Sequence, residues 1–309
     1  MIVRKHLRWH RILFRSSGFL AYIAILSATV LWLHELDPDS GLGQKIQPFL
    51  FHIPLGLVAM LATALAIFLA FRNNSAYDRW WEARKIWGAI VNTSRHFGTQ
   101  VISYIDDKED QNRIVYRHIG WLYALNMHLR KKMDLKNLDP FMKDDLLKML
   151  ETAKNVPVQI LHRQGGDLTQ ALRKGQVTEF QHSMLMNNIY DCYVHQGKAE
   201  RIKNTVFPFY YNYFTRVFLW LFIVMLPCAM VETMNWLLIP IASSIAFIFY
   251  ILDKSGEVTE DPFENRAADI PISAICRTIE IDMLQQIEAE DIPEALPVEF
   301  SKHGVAFVR

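Results

Sequence analysis

The stretch Phe71-Arg72-Asn73-Asn74-Ser75-Ala76-Tyr77-Asp78-Arg79-Trp80-Trp81-Glu82-Ala83-Arg84-Lys85-Ile86-Trp87-Gly88 follows directly on a charge-free run over 46–71, and it holds neither proline nor glycine before Gly88. Nothing in it stops a helix. One continuous helix is therefore expected over 54–88, roughly 50 Å long at 1.5 Å per residue, passing from an apolar layer into a polar one. A bilayer core about 30 Å thick takes about 20 apolar residues as helix. Three more charge-free runs, 16–33, 217–231 and 233–252, bring the predicted spans to four. The third reaches full length if 207–214 belongs to it and Arg216 faces protein or water. The first is longer than the apolar part of a signal peptide and has no small-residue cleavage pattern before Glu35, so it reads as a retained span.

Charge is distributed by region. Of 33 Lys plus Arg and 32 Asp plus Glu, residues 1–33 hold five cations and no acid; residues 34–71 hold Lys45 against Glu35, Asp37 and Asp39. Residues 72–204 hold 21 basic and 15 acidic residues, and 205–309 hold 6 and 14. Lys and Arg near span ends favour the cytoplasm. The N-terminus, the block after span two and the tail are thus expected inside, with the links around 35–45 and at Glu232 outside. The expected organisation is 1–71, an N-terminal segment with membrane helices one and two; 72–204, a cytosolic helical domain continuing helix two; 205–253, membrane helices three and four; and 254–309, a cytosolic tail. An inner-membrane, multi-pass protein with both termini cytoplasmic follows.

With 51% hydrophobic residues the chain is neither disordered nor a linker-like polymer, and Cys192, Cys228 and Cys276 are too few and too scattered for a disulfide framework or a zinc site. The cytosolic block reads as helical. Ile114, Arg117, His118, Trp121, Leu122, Leu125 and His128 recur at three- and four-residue steps, as do Phe141, Leu146, Leu147 and Leu150. Breaks are expected at Asp139-Pro140, Asn155-Val156-Pro157, Gly165-Gly166 and Gly197. A tail helix is expected between Pro271 and Pro293, with Ile275, Ile279, Met283, Leu284 and Ile287 on one side. The predicted class is all-α.

In the membrane half of the long helix, Met60, Thr63, Ala64, Ile67 and Phe71 share one stripe. The 71–88 string just below it closely resembles the signature of prokaryotic members of the bestrophin family. Glu260-Asp261-Pro262-Phe263, then Asp269-Ile270-Pro271, the tail helix, the four-span layout and Phe207-Pro208-Phe209 at the entry to span three are also similar to that family.

The resemblance implies a ring of chains, a homopentamer, whose second helix lines one axial pore in the lipid bilayer and passes monovalent ions (Na+, K+ or Cl−). Three bulky positions spaced by four form the family's hydrophobic neck, and they map onto Thr63, Ile67 and Phe71. Thr63 departs from the usual apolar type, which predicts a wetter outer ring. A second, cytosolic constriction maps onto Phe180, or onto Gln181 if the register carries a one-residue gap. Asn73 and Asn74 below the neck read either as an inner vestibule or as helix packing. Arg72 reads as snorkelling to headgroups, Arg79 with Glu82 and Glu82 with Lys85 as i,i+3 pairs, and Trp80, Trp81 and Trp87 as packing or interfacial residues.

Animal relatives bind calcium after the Glu-Asp-Pro-Phe segment. Here Glu264-Asn265-Arg266-Ala267-Ala268 offers too few oxygen ligands. No metal, cofactor or nucleic-acid partner is expected, and Glu257, Glu260, Asp261 and Glu264 read as a solvated or salt-bridged face. Glu35, Asp37 and Asp39 form an acidic outer mouth, which concentrates cations. The expected conduction is of cations, with a chloride-selective channel as the alternative. A different class stays open, a membrane-anchored signalling protein or enzyme, but HExxH, GxSxG and P-loop patterns are missing, and His118, His128, His182 and His195 read as core histidines.

Overall fold

The computed structural model describes residues 9–36, 53–205, 207, 209–266, 268–297, 299–300 and 306–307. They fall into two compact units, one within 6–78 and 206–260, the other within 79–205 and 261–309. In order, the elements are α1 (Trp9–Arg15), α2 (Ser17–His34), α3 (Leu55–Tyr104), α4 (Lys108–Leu129), α5 (Asp144–Leu150), α6 (Val156–Arg173), α7 (Glu179–Asn204), α8 (Phe209–Met234), α9 (Leu238–Thr259) and α10 (Ile272–Gln286). Two-residue strands β1 (Glu299–Phe300) and β2 (Ala306–Phe307) pair antiparallel and are the one departure from an all-α chain among the described residues.

The apolar unit consists of α1, α2, the start of α3, α8 and α9. By length and composition α2, α3 and the stretch 179–259, which contains α8 and α9, are apolar enough to cross a membrane. Its core joins Ile23 and Val30 of α2 to Leu65 and Leu69 of α3, Phe222 and Ile223 of α8, and Ala242 and Ala246 of α9. Span three is one helix from Phe209, so 209–214 belongs to it, and Arg216 reaches Glu257 at 3.5 Å. The link expected at Glu232 lies later: α8 runs through it to Met234, and the chain turns in a short 3-10 segment, Asn235–Leu237. Asn235 takes φ 44°, a left-handed conformation that asparagine tolerates and most residues resist.

The second unit is built on the part of α3 from Arg79 onward with α4, α6, α7 and α10 around one core. Ile114, His118, Trp121, Leu122 and Leu125 of α4 are fully buried, while Arg117 and His128 flank that face. Helix starts follow local chemistry. The Asp107 side chain accepts from the N–H groups of Glu109 and Asp110, Asn155 accepts from Val158 N, and Thr178 closes a capping box with Gln181. The tail helix buries Cys276, Ile279 and Met283, and Arg95 of α3 holds Asp282 at 2.7 Å.

Glycine breaks were over-read. α3 continues through Gly88 and Gly98 to Tyr104, α6 through Gly165 and Gly166, and α7 through Gly197. A helix-interior glycine costs about 1 kcal/mol relative to alanine, which a packed helix tolerates. At Gly120 the space is tight: a Cβ would lie 2.3 Å from Met142 Cε, a flexible tip that must swing away, and 3.2 Å from Phe141 Cβ, which must give way. At Gly197 a Cβ meets nothing within 4 Å. Gly120→Val is therefore expected to destabilise this unit by about 1–3 kcal/mol through overpacking, and Gly197→Ala to stabilise it by about 0.5–1 kcal/mol. Urea melts followed by tryptophan fluorescence check both; coincident midpoints would contradict this packing.

Candidate functional site

Along the apolar part of α3, Val58, Leu65, Leu69, Arg72 and Ala76 are buried, and they recur at helical steps on one face. The opposite face is open. Met60 is 73% exposed, Ile67 52% and Phe71 63%, and Thr63 lies on the same exposed side. The Thr63 hydroxyl donates to Ala59 O of its own helix at 2.9 Å. One turn past Phe71 the open face turns polar, with Asn74, Ser75 and Asp78 all exposed.

Arg72 does not snorkel outward. It is 1% exposed, ion-paired with Asp253 of α9, and 3.7 Å from Glu260, whose carboxylate also accepts from Asn212 Nδ2 at 3.2 Å. Asn73 turns the same way, and its Nδ2 donates to Leu252 O at 3.2 Å. Gly256 admits this approach, because a Cβ there would sit 2.3 Å from Asn73 Oδ1. Of the two asparagines, then, Asn73 is packing against α9 and Asn74 remains on the open face. Sequence reading missed Asp253, Glu260, Asn212 and Gly256. The available signal was an acid, Asp253, closing the last apolar run just as Arg72 closes the second.

In the other unit Phe180 is 75% exposed near the start of α7. Gln181 is committed to the cap: its Oε1 accepts from Thr178 N at 2.9 Å. Glu82 is engaged by Arg201 at 2.6 Å, and Arg79 donates to the carbonyls of Ile202 and Thr205 at the end of α7, in place of the i,i+3 pairing expected along α3. There positive charge complements the helix C-terminus. Trp87 is fully buried, and Trp80 Nε1 donates to Ala268 O at 3.2 Å.

Glu257 pairs with Arg216 and Lys254, and Glu264 with Lys203, which holds the Glu264 carboxyl below the usual range. That acidic segment is salt-bridged. His118 is a core histidine; Gln164 Nε2 donates to its Nδ1 at 3.3 Å, its Nε2 lies 2.9 Å from Ser94 Oγ, and burial lowers its pKa to about 3, so it stays neutral. Among the described residues no cluster of three metal-ligating side chains occurs. Glu35 is exposed at the C-terminal cap of α2, and Asp37 and Asp39 lie outside the described residues.

A sequence profile described as the bacterial and fungal bestrophin protein matches residues 1–285. The chain belongs to the bestrophin family. This bestrophin is 32% identical over 290 residues to a voltage-dependent anion channel-forming protein of Mesorhizobium japonicum, covering 94% of this chain and 89% of that one. It is 32% identical over 303 residues to a protein of the same description from Escherichia coli, covering 95% and 96%. Its fold resembles the crystal structure of a bacterial bestrophin homolog from Klebsiella pneumoniae, with a TM-score of 0.82 at 24% identity over 91% of this chain and 100% of the other. This bestrophin is therefore a membrane protein of an ion-channel family and not an enzyme.

Removing one partner of a buried ion pair strands the other charge, at a cost of about 3–5 kcal/mol. Arg72→Leu is expected to destabilise the apolar unit on that scale, and Arg72→Leu combined with Asp253→Leu to regain part of the loss. Thermal melts in detergent would show it. If the double variant melted no higher than the single one, the pair would not be the contact that matters.

Proposed function

We propose that this bestrophin assembles as a homopentamer in the inner membrane, with both termini cytoplasmic, residues 79–205 and the tail on the cytoplasmic side, and an axial path for monovalent ions lined by α3. The observation that carries the reading is the open face of α3, where Ile67 and Phe71 stand exposed opposite a buried face and are followed on the same side by Asn74, Ser75 and Asp78. Rings four residues apart stack about 6 Å apart. A neck of Thr63, Ile67 and Phe71 strips solvent from an ion and gates by dewetting, and Asn74 rehydrates it below. Phe180, exposed and free of the cap that uses Gln181, is the cytosolic constriction.

For the sign of the ion, the charge near the neck favours cations. Arg72, the nearest basic residue, is buried and neutralised by two acids, while Asp78 is exposed on the open face. The acidic link of Glu35, Asp37 and Asp39 adds to this at the outer mouth. The second reading is an anion channel, favoured by the names of the relatives at 32% identity.

Ile67→Ala and Phe71→Ala are expected to raise ion flux severalfold in proteoliposomes without altering assembly. Flux equal to the parent protein in both single variants and in the double variant would remove the neck. Under asymmetric NaCl the reversal potential is expected near the sodium value, and Asp37→Asn with Asp39→Asn to move it toward chloride. A parent potential already at the chloride value would select the anion reading.

A further inference from the structure

The cytosolic unit carries a cavity that conduction does not use. It has a volume of about 350 Å³ and lies between α4, α6 and the start of α5, lined chiefly by Arg117, Lys143, Asp145, Arg163, Gly166 and Asp167. That is the lower end of the size range of small-molecule sites, about 300–1,000 Å³.

Its charge is the informative feature. Asp110 is already shared among Lys174 at 2.7 Å, Gln176 at 2.9 Å and Arg113. Asp167 is shared between Arg117, its ion-pair partner, and Arg113 at 3.6 Å. Among the described side chains that line the cavity, Arg117, Arg163 and Lys143 stand against Asp145 and Asp167, an excess of one positive charge, with Arg113 reaching Asp167 from behind. Arg163 is exposed, and the polar contact its guanidinium makes is to Met149 Sδ at 3.6 Å, a weak acceptor. Burial, reinforced by repulsion from Arg113 and Arg163, lowers the Arg117 pKa to about 10. Guanidiniums crowded in this way are stabilised by an anion that accepts from several of them, and phosphate oxygens match that fork geometry.

The α6 wall that carries Arg163 and Asp167 also carries a glycine. Gly166 is exposed, and a Cβ there meets nothing within 4 Å, so the space in front of it is empty. A glycine inside α6 leaves the helix less stable than alanine would and keeps the cavity open.

We propose that this cavity is a binding site for a compact anion of the phosphate class, either a soluble phosphate compound or the phosphomonoester headgroup of a lipid. It does not rest on the conduction reading, and its readout is binding rather than flux.

The test is calorimetric titration of the purified full-length protein in a zwitterionic detergent, at fixed chloride, with inorganic pyrophosphate in one arm and phosphatidate-doped micelles in the other, phosphatidylcholine micelles serving as control. Saturable binding is expected. Arg163→Gln and Lys143→Gln should each weaken it by about tenfold, as loss of a charge-assisted hydrogen bond does. Asp145→Asn should tighten it severalfold, Gly166→Leu should abolish it by filling the cavity, and Gly166→Ala should retain much of it. Binding of pyrophosphate identifies a soluble ligand; binding of phosphatidate alone identifies a lipid. No saturable binding in either arm overturns the proposal, and so does binding that Arg163→Gln and Lys143→Gln leave unchanged. Those two exposed positions keep the test valid even where Gly166→Leu fails to fold.

Discussion

Arg72 is buried at the end of the second apolar run between two carboxylates of α9, and the arrangement of the apolar unit follows from satisfying it. Three charges withdrawn from water each carry a desolvation penalty of several kcal/mol, so they persist only where geometry brings them together closely. Asp253 and Glu260 stand seven residues apart, two turns along one face of α9, with Gly256 between them; Arg72 sits against that face and Asn73 fills the space the glycine leaves. This fixes the rotation of α3. With Arg72 turned inward, Phe71 lies about 100° around the helix from it, and Ile67 and Asn74 share the outward side. The exposed stripe is the geometric complement of the buried pair.

The same pair explains where the units divide. The apolar runs end at 71 and 252, yet the compact units change at 78/79 and 260/261. Arg72 and Asp253 lie two turns before those limits, and their pairing ties 72–78 and 253–260 into the apolar unit. In the second unit the regional charge imbalance is taken up by short contacts: Arg95 with Asp282, Arg277 with Glu280 at 3.2 Å, Lys203 with Glu264, and the Tyr123 hydroxyl donating to Glu280 at 2.6 Å. The acidic tail helix thus neutralises basic residues of its own chain. A regional charge count is therefore a poor guide to the field an ion would meet along the proposed path.

Much of the fold was legible because its determinants are local. Charge-free runs and Asn155 before Val156-Pro157 act through neighbours in sequence: Asn155 caps the start of α6, and the runs mark where α2, α3, α8 and α9 lie, while those ending at 71, 231 and 252 stop inside their helices. Glycine was a weaker signal, since its cost is small beside tertiary packing, and Gly88, Gly98, Gly165, Gly166 and Gly197 all lie inside helices. The fate of Arg72 was not legible: its partner Asp253 is 181 residues away, and an isolated Arg at a span end has snorkelling as its ordinary solution. Phe180 and Gln181 were separable only once the capping box was seen, because the cap consumes the glutamine and leaves the aromatic outside.

Thr63 shows how residue type and local geometry diverge. A threonine in a hydrophobic neck suggests a wet ring able both to donate and to accept hydrogen bonds. Here the hydroxyl proton is directed to Ala59 O, which leaves the oxygen as an acceptor only. Around a common axis such a ring offers acceptors without donors. It would help replace water around a cation and would give a passing anion nothing to bind, the same sign that follows from Arg72 being buried and Asp78 exposed. In the proposed neck the departure from an apolar residue at the outermost position would leave the dry part to Ile67 and Phe71 and would add a preference to a constriction otherwise indifferent to charge sign.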